Sequence, residues 1–153
     1  MSENGKIIFV TVGSTGFDQI VQLITSTSCL QLLNSQGFTK LIVQYGKSQN
    51  AFNDSIQTRK NRTNEIDIIG YDFKPSLSED MKNADLIICH AVVNENLMDN
   101  HQMELAIELQ NKGYLVYSSI SDLLKVLNSC TYEHLIPFPE PDKSLFANVL
   151  SEL

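Results

Sequence analysis

Four short apolar runs constrain the fold of this chain more than any other feature. They are "KIIFVTVG" (6–13), "KLIVQYG" (40–46), "EIDIIGYDF" (65–73) and "DLIICHA" (85–91). Each is strand length, rich in β-branched residues and almost uniformly apolar rather than alternating. That is the pattern of strands buried on both faces of a parallel sheet. Between the runs lie segments with helical spacing. "DQIVQLIT" (18–25) places Ile20, Val21, Leu23 and Ile24 on one side, a break is expected at "STS" (26–28), and "CLQLLNSQ" (29–36) ends at Gly37, a natural C′ residue. The polar stretch 47–64 fits a short helix inside a long loop, and Pro75 opens a helix through "SLSEDMKNA".

Beyond residue 91 the same grammar predicts a helix over 99–113, a fifth strand "YLVYS" (114–118) and a helix over 121–129. A proline-rich turn, "PFPEPDK", and an amphipathic terminal helix over 144–153 follow. Strands alternating with helices imply a Rossmann-like α/β domain, with a parallel sheet covered by helices on both faces and one domain over 1–153.

Composition narrows the function classes. A net charge of -7 and a pI near 4.8 argue against nucleic acid as a partner, which needs clustered Lys and Arg. No apolar run approaches the length of a membrane span, and "MSENGK" resembles neither a signal nor a transit peptide. Cys29, Cys89 and Cys130 lack CxxC spacing, which fits buried thiols in a reducing compartment. The sequons at Asn53 and Asn61 carry no meaning in a cytosolic chain.

Ligands of open α/β sheets bind outside the carboxyl ends of the strands, near a switch point. That rim is expected to hold Gly13, Ser14, Thr15, Gly46, Gly70 and His90. Gly13 would let backbone N–H groups approach a phosphate, with Ser14 and Thr15 adding hydroxyls; on the motif alone, an ordinary strand-to-helix turn is the better account of "GSTG". His90 could donate to a diphosphate, move a proton, or be structural. In "MDNHQMELA", Asn100, His101, Gln102 and Glu104 crowd a helix start, which suits a network of sugar hydroxyls or simple capping. The scattered histidines support no metal site, no cofactor is expected, and no G-x-S-x-G elbow points to a hydrolase.

Taken in order, "IFVTVGSTGFDQIV", "KLIVQYG", "IIGYDFKPSLSEDMKNADLIICHA" and "VVNENLMDNHQMELAIEL" resemble one family: the small catalytic subunit of the UDP-N-acetylglucosamine transferase of dolichol-linked oligosaccharide assembly. That subunit is similar to the donor-binding half of a GT-B glycosyltransferase. The resemblance implies UDP-GlcNAc as donor, dolichyl-diphosphate-GlcNAc as acceptor, and a membrane-anchored partner subunit that supplies the acceptor half. It implies a cytoplasmic chain recruited to the cytosolic face of the endoplasmic reticulum, which adds the second GlcNAc. By motif match, Gly13, Ser14 and Thr15 would line the donor or interface cleft. His90 would lie near the diphosphate, and Asn100, His101, Gln102 and Glu104 near the sugar and ribose. The helix over 144–153 would help to dock the partner.

The resemblance also exposes a junction. In the family the fourth strand is followed by G-[ST]-G-S, a helix, a "KP" turn and another strand before "NENLMDNHQ". Here "CHA" runs straight into "VVNENL", as an alternatively spliced form would. A parallel crossover needs about a dozen residues, so "LIICHAVV" is expected either to form one continuous strand or to leave the sheet a strand short. The missing glycine loop would have presented N–H groups to a diphosphate, so a noncatalytic, partner-binding form is the alternative reading. A free-standing nucleotide-binding module, resting on the rim glycines alone, is the third.

Overall fold

The computed structural model describes residues 5–59, 66–90 and 101–137. They fall into two compact units, Met1–His90 and Ala91–Leu153. In the first, β1 (Lys6–Thr11), α1 (Asp18–Ile24), α2 (Thr27–Ser35), β2 (Phe38–Gln44), α3 (Gln49–Gln57), β3 (Asp67–Tyr71), α4 (Ser78–Asn83) and β4 (Leu86–Cys89) follow one another. The strands form one parallel sheet in the order β3-β2-β1-β4, a Rossmann-like α/β fold.

The four expected strands therefore form, and β1 takes the most protected place. Ile8, Phe9 and Val10 are fully buried, which requires cover on both faces of the strand. The helical connections supply it, because the chain steps outward through β2 and β3 and then returns past β1 to β4. Val21, Ile24, Cys29 and Leu33 of α1 and α2, and Leu41 and Val43 of β2, complete this core. The return is secured at the entry to β4, where Asp85 N donates to Ile7 O at 2.8 Å and Ile7 N donates to Asp85 Oδ2 at 2.8 Å.

The helix break falls where serine predicts it. Ser26 caps α2, its Oγ accepting from Cys29 N at 3.3 Å. The polar stretch after Gly46 does hold a helix, α3, which buries only Ala51 and Phe52. Pro75 lies outside α4, which starts three residues later at Ser78. Gly70 is not on the rim. It sits inside β3 opposite Val43, and a Cβ there would lie 2.3 Å from the Phe52 ring, so it is glycine to admit that ring. Buried thiols are found only in part: Cys29 is buried and burial pushes its thiol up to about 12, Cys130 is half-buried, and Cys89 is exposed on the edge strand β4.

The second unit contains α5 (His101–Asn111), α6 (Leu123–Ser129) and a 3-10 turn at Thr131–His134, entered through Cys130 at φ 54°. The fifth strand expected at 114–118 does not form. An apolar triplet becomes a strand only by pairing. Two of these residues donate their N–H groups locally instead, Tyr114 N to Leu109 O at 3.0 Å and Tyr117 N to Gln110 Oε1 at 2.7 Å. The continuous strand considered across the junction and the terminal helix lie outside the described residues, although β4 itself stops at Cys89.

Candidate functional site at the switch point

The strand order creates one topological switch point. The chain leaves β1 toward β2 on one side, and β4 returns on the other, so the carboxyl ends of these strands mark the position at which open α/β sheets bind their ligands. The strand ends are level there, since Thr11 pairs with Gln44 on one side and Cys89 on the other, and Gln44 pairs with Tyr71. Three loops rise from this line. The loop after β1 carries Gly13, Ser14 and Thr15, all exposed, with Gly13 at φ 81°. A Cβ on Gly13 would meet nothing within 4 Å, so the need for glycine there is set by its backbone angle. Gly16 and Gly46, also at positive φ, answer a second demand as well. Cβ atoms on them would lie 2.6 Å from Ser48 Oγ and 2.1 Å from Gly13 O, so the loops after β1 and β2 touch backbone to backbone.

Gln44 was not among the sequence candidates, yet it organises this rim. Its side chain is buried and meets four partners. Oε1 accepts from Thr11 Oγ1 at 2.6 Å and from Gly13 N at 3.1 Å. Nε2 donates to Gly13 O at 3.1 Å and to Asp72 O at 2.7 Å. A peptide N–H can only donate and a carbonyl can only accept, so this orientation of the amide is the one that satisfies all four. A polar residue at a strand end reads as solvated in sequence; only the positions of the flanking loops reveal its role.

His90 follows β4 and continues the pairing, its N donating to Thr11 O at 3.0 Å. Its imidazole stacks on Phe17 with centroids 4.2 Å apart, which ties it to the residue just before α1. Burial holds its pKa below the usual histidine value, so the ring is neutral near pH 7. Nδ1 is buried and finds no hydrogen-bond partner among the described residues. A neutral imidazole at a strand end can donate one hydrogen bond and accept another, which suits a ligand carrying both hydroxyl and phosphate oxygens. Phe17 is a second residue that sequence inspection passed over; its only signal was an aromatic in a loop beside a helix start.

At the end of β3, Tyr71 Oη donates to Asp80 Oδ2 at 2.5 Å, and Lys74 Nζ lies 3.0 Å from the same oxygen and 4.2 Å above the Tyr71 ring. The tyrosine hydrogen bond, more than the lysine, holds the Asp80 carboxyl below its ordinary range. Burial first, and then this carboxylate, push the Tyr71 phenol well up. This cluster braces the loop that contains Asp72.

Gly13, Ser14, Thr15 and His90 thus come together around the end of β1. Asn100 lies outside the described residues, while His101 and Gln102 open α5 in the second unit and Glu104 is exposed in its first turn. Among the described residues no three His, Cys, Asp or Glu side chains are grouped to hold a metal ion, and no helix is long and apolar enough to cross a membrane.

Known proteins share this framework. A UDP-N-acetylglucosamine transferase subunit ALG13 from Yarrowia lipolytica is 30% identical over 170 positions, which take in 95% of this chain and 83% of the relative. That alignment is longer than the 153-residue chain, so the relative carries stretches with no counterpart here. The mouse protein of the same name is 37% identical over 129 positions covering 73% of this chain, but the chain spans only about a tenth of that relative's length. A solution NMR structure of ALG13 superposes with a TM-score of 0.71 at 26% identity, covering 97% of this chain and 96% of its own. The glycosyltransferase family 28 C-terminal domain matches residues 7–91, from the second residue of β1 to one residue past His90. With more than half of its length inside that match, and with the switch-point loops at its centre, this chain belongs to the glycosyltransferase family 28 C-terminal domain family.

Proposed function

We propose that this chain is a donor-binding subunit that uses UDP-GlcNAc to add the second GlcNAc to GlcNAc-diphosphodolichol. It works at the cytosolic face of the endoplasmic reticulum beside a membrane-anchored partner that supplies the acceptor half. The observation that carries this reading is family membership centred on the switch point, together with relatives named as UDP-N-acetylglucosamine transferase subunits. In this reading Gly13, Ser14 and Thr15 line the donor cleft and His90 serves the diphosphate. Asn100, His101, Gln102 and Glu104 serve the sugar and ribose.

A second reading has its own support. The family match stops at Ala91, and the alignment with the Yarrowia relative is longer than this chain. A form without the glycine loop after β4 occupies the partner without transferring sugar. One experiment separates the two. The chain is coexpressed with the membrane partner, supplied with radiolabelled UDP-GlcNAc and a GlcNAc-diphospholipid acceptor, and compared with a version that carries the loop. Transfer near the control rate supports the enzyme. No transfer with the partner still copurifying supports the silent form, and loss of both rejects the two readings together.

A further inference from the structure

We propose that Gln44 is a positioning residue that presents the Gly13–Ser14–Thr15 loop to the donor and locks it to the loop holding Asp72; this rests on the proposed donor role of that loop. The argument begins with the sheet. Backbone pairing between β1 and β2 runs from Lys6 to Thr11, and Val12 N still reaches Gln44 O at 3.2 Å. Gly13 has left the ladder, yet both of its peptide groups are held, its N–H by Gln44 Oε1 and its C=O by Gln44 Nε2. The side-chain amide thus continues the sheet by one residue, in place of a backbone that has already turned away. The same Nε2 reaches Asp72 O, which also accepts from Gly46 N at 3.2 Å. One buried amide on β2 therefore bridges the loops after β1 and β3, and Asp72 O links the second of them to Gly46 in the loop after β2.

Rigid presentation matters because a loop of exposed glycine, serine and threonine has little else to order it. Only an ordered loop can bind a ligand without first losing its freedom. The Gln44→Glu substitution is close to isosteric. Its carboxylate has no proton to give the Gly13 and Asp72 carbonyls and repels both, which pushes the two loops away and loosens the Gly13 N–H bond as well. Protonation restores one donor.

The test uses the full chain with its partner. UDP-GlcNAc affinity is measured for wild type and Gln44→Glu at about pH 7.5 and about pH 5.5, alongside amide exchange at Gly13 and Gly46. The expected result for Gln44→Glu is a loss of about tenfold in affinity at the higher pH, with the gap to wild type narrowing at the lower pH. Faster exchange at Gly13 and Gly46 should accompany it while Phe9 and Val10 stay protected. Comparing the two proteins at each pH cancels the titration of His90, which both share. Looser loops with unchanged affinity would make Gln44 merely structural and overturn the proposal. Unchanged exchange at Gly13 and Gly46 would overturn it as well, whether or not UDP-GlcNAc binds. Failure of wild type to bind UDP-GlcNAc rejects the donor reading instead, and the exchange data then decide the lock alone. If Gln44→Glu does not fold, Gln44→Met is read by the same exchange measurement.

Discussion

The two compact units treat their apolar residues differently. In Met1–His90, Ile8, Phe9, Val10, Val21, Ile24, Leu33, Leu41 and Val43 all lie fully buried. Past His90, among the described residues, Leu127 alone is buried, and Ile107, Tyr117 and Ile136 stand exposed. The second unit is not short of apolar side chains; α6 alone reads "LLKVLNS". What its described residues lack is an opposing surface. A sheet offers two broad faces, whereas two short helices and a 3-10 turn offer narrow stripes. Hydrophobic sequence supplies the tendency to be buried, and architecture decides whether burial occurs.

Substitutions can break or sharpen this contrast. The largest effect is expected from Phe9→Ala in the sheet unit. Emptying the site of a fully buried ring costs about 3–5 kcal/mol, visible as a lower denaturant midpoint, and a cost below about 1 kcal/mol would deny that β1 is the centre of the core. Next comes Gly46→Ala, which combines φ 55° with a Cβ placed on the Gly13 carbonyl. About 2–3 kcal/mol of destabilisation is expected, with amide shifts concentrated in the loops after β1 and β2. Tyr71→Phe removes one hydrogen bond to Asp80 while Lys74 remains. About 1 kcal/mol is expected near neutral pH, with the Asp80 pKa moving up in a carboxyl NMR titration. At the small end, Ile136→Ala in the second unit should stay within about 0.5 kcal/mol, because that side chain is already in water.

Acid should also weaken the sheet unit through His90. The folded-state pKa of His90 lies below its unfolded value, so its contribution is present above about pH 6.5 and declines as pH falls from there toward the folded pKa. Urea midpoints measured across this window should slope downward toward acid in wild type and less steeply in His90→Gln. Equal slopes would mean that burial does not keep the ring neutral.

Much of this fold could be read from sequence because its strands are buried on both faces. Uniform apolar runs admit few other structures, and the serine-rich break between α1 and α2 carries its own cap. The failures share a cause. "YLVYS" has the composition of a strand, but pairing is a property of neighbours and not of the run itself. Gly70 resembles Gly13 and Gly46 in ending an apolar run, yet its reason for being glycine is Phe52, eighteen positions earlier in the chain. Gln44 has no sequence signal because its four partners come from two segments far from it in the chain, Thr11–Gly13 and Asp72. Gly13 and His90 were legible as rim residues, whereas the amide and aromatic groups that hold them were not.

The position of β1 has a consequence for the order in which the chain can assemble. One flank of β1 pairs with β2, which follows closely in sequence; the other waits for β4, where Ile8 meets Leu86. On a ribosome, β1, β2 and β3 can associate as soon as they emerge, leaving one side of the central strand with open N–H and C=O groups. The segment 85–89 arrives last, and its long-range closure carries the slow step expected of distant parallel pairing. Until Asp85 reaches Ile7, the nascent sheet has a bare hydrophobic edge, and chaperone capture or mispairing has its window there.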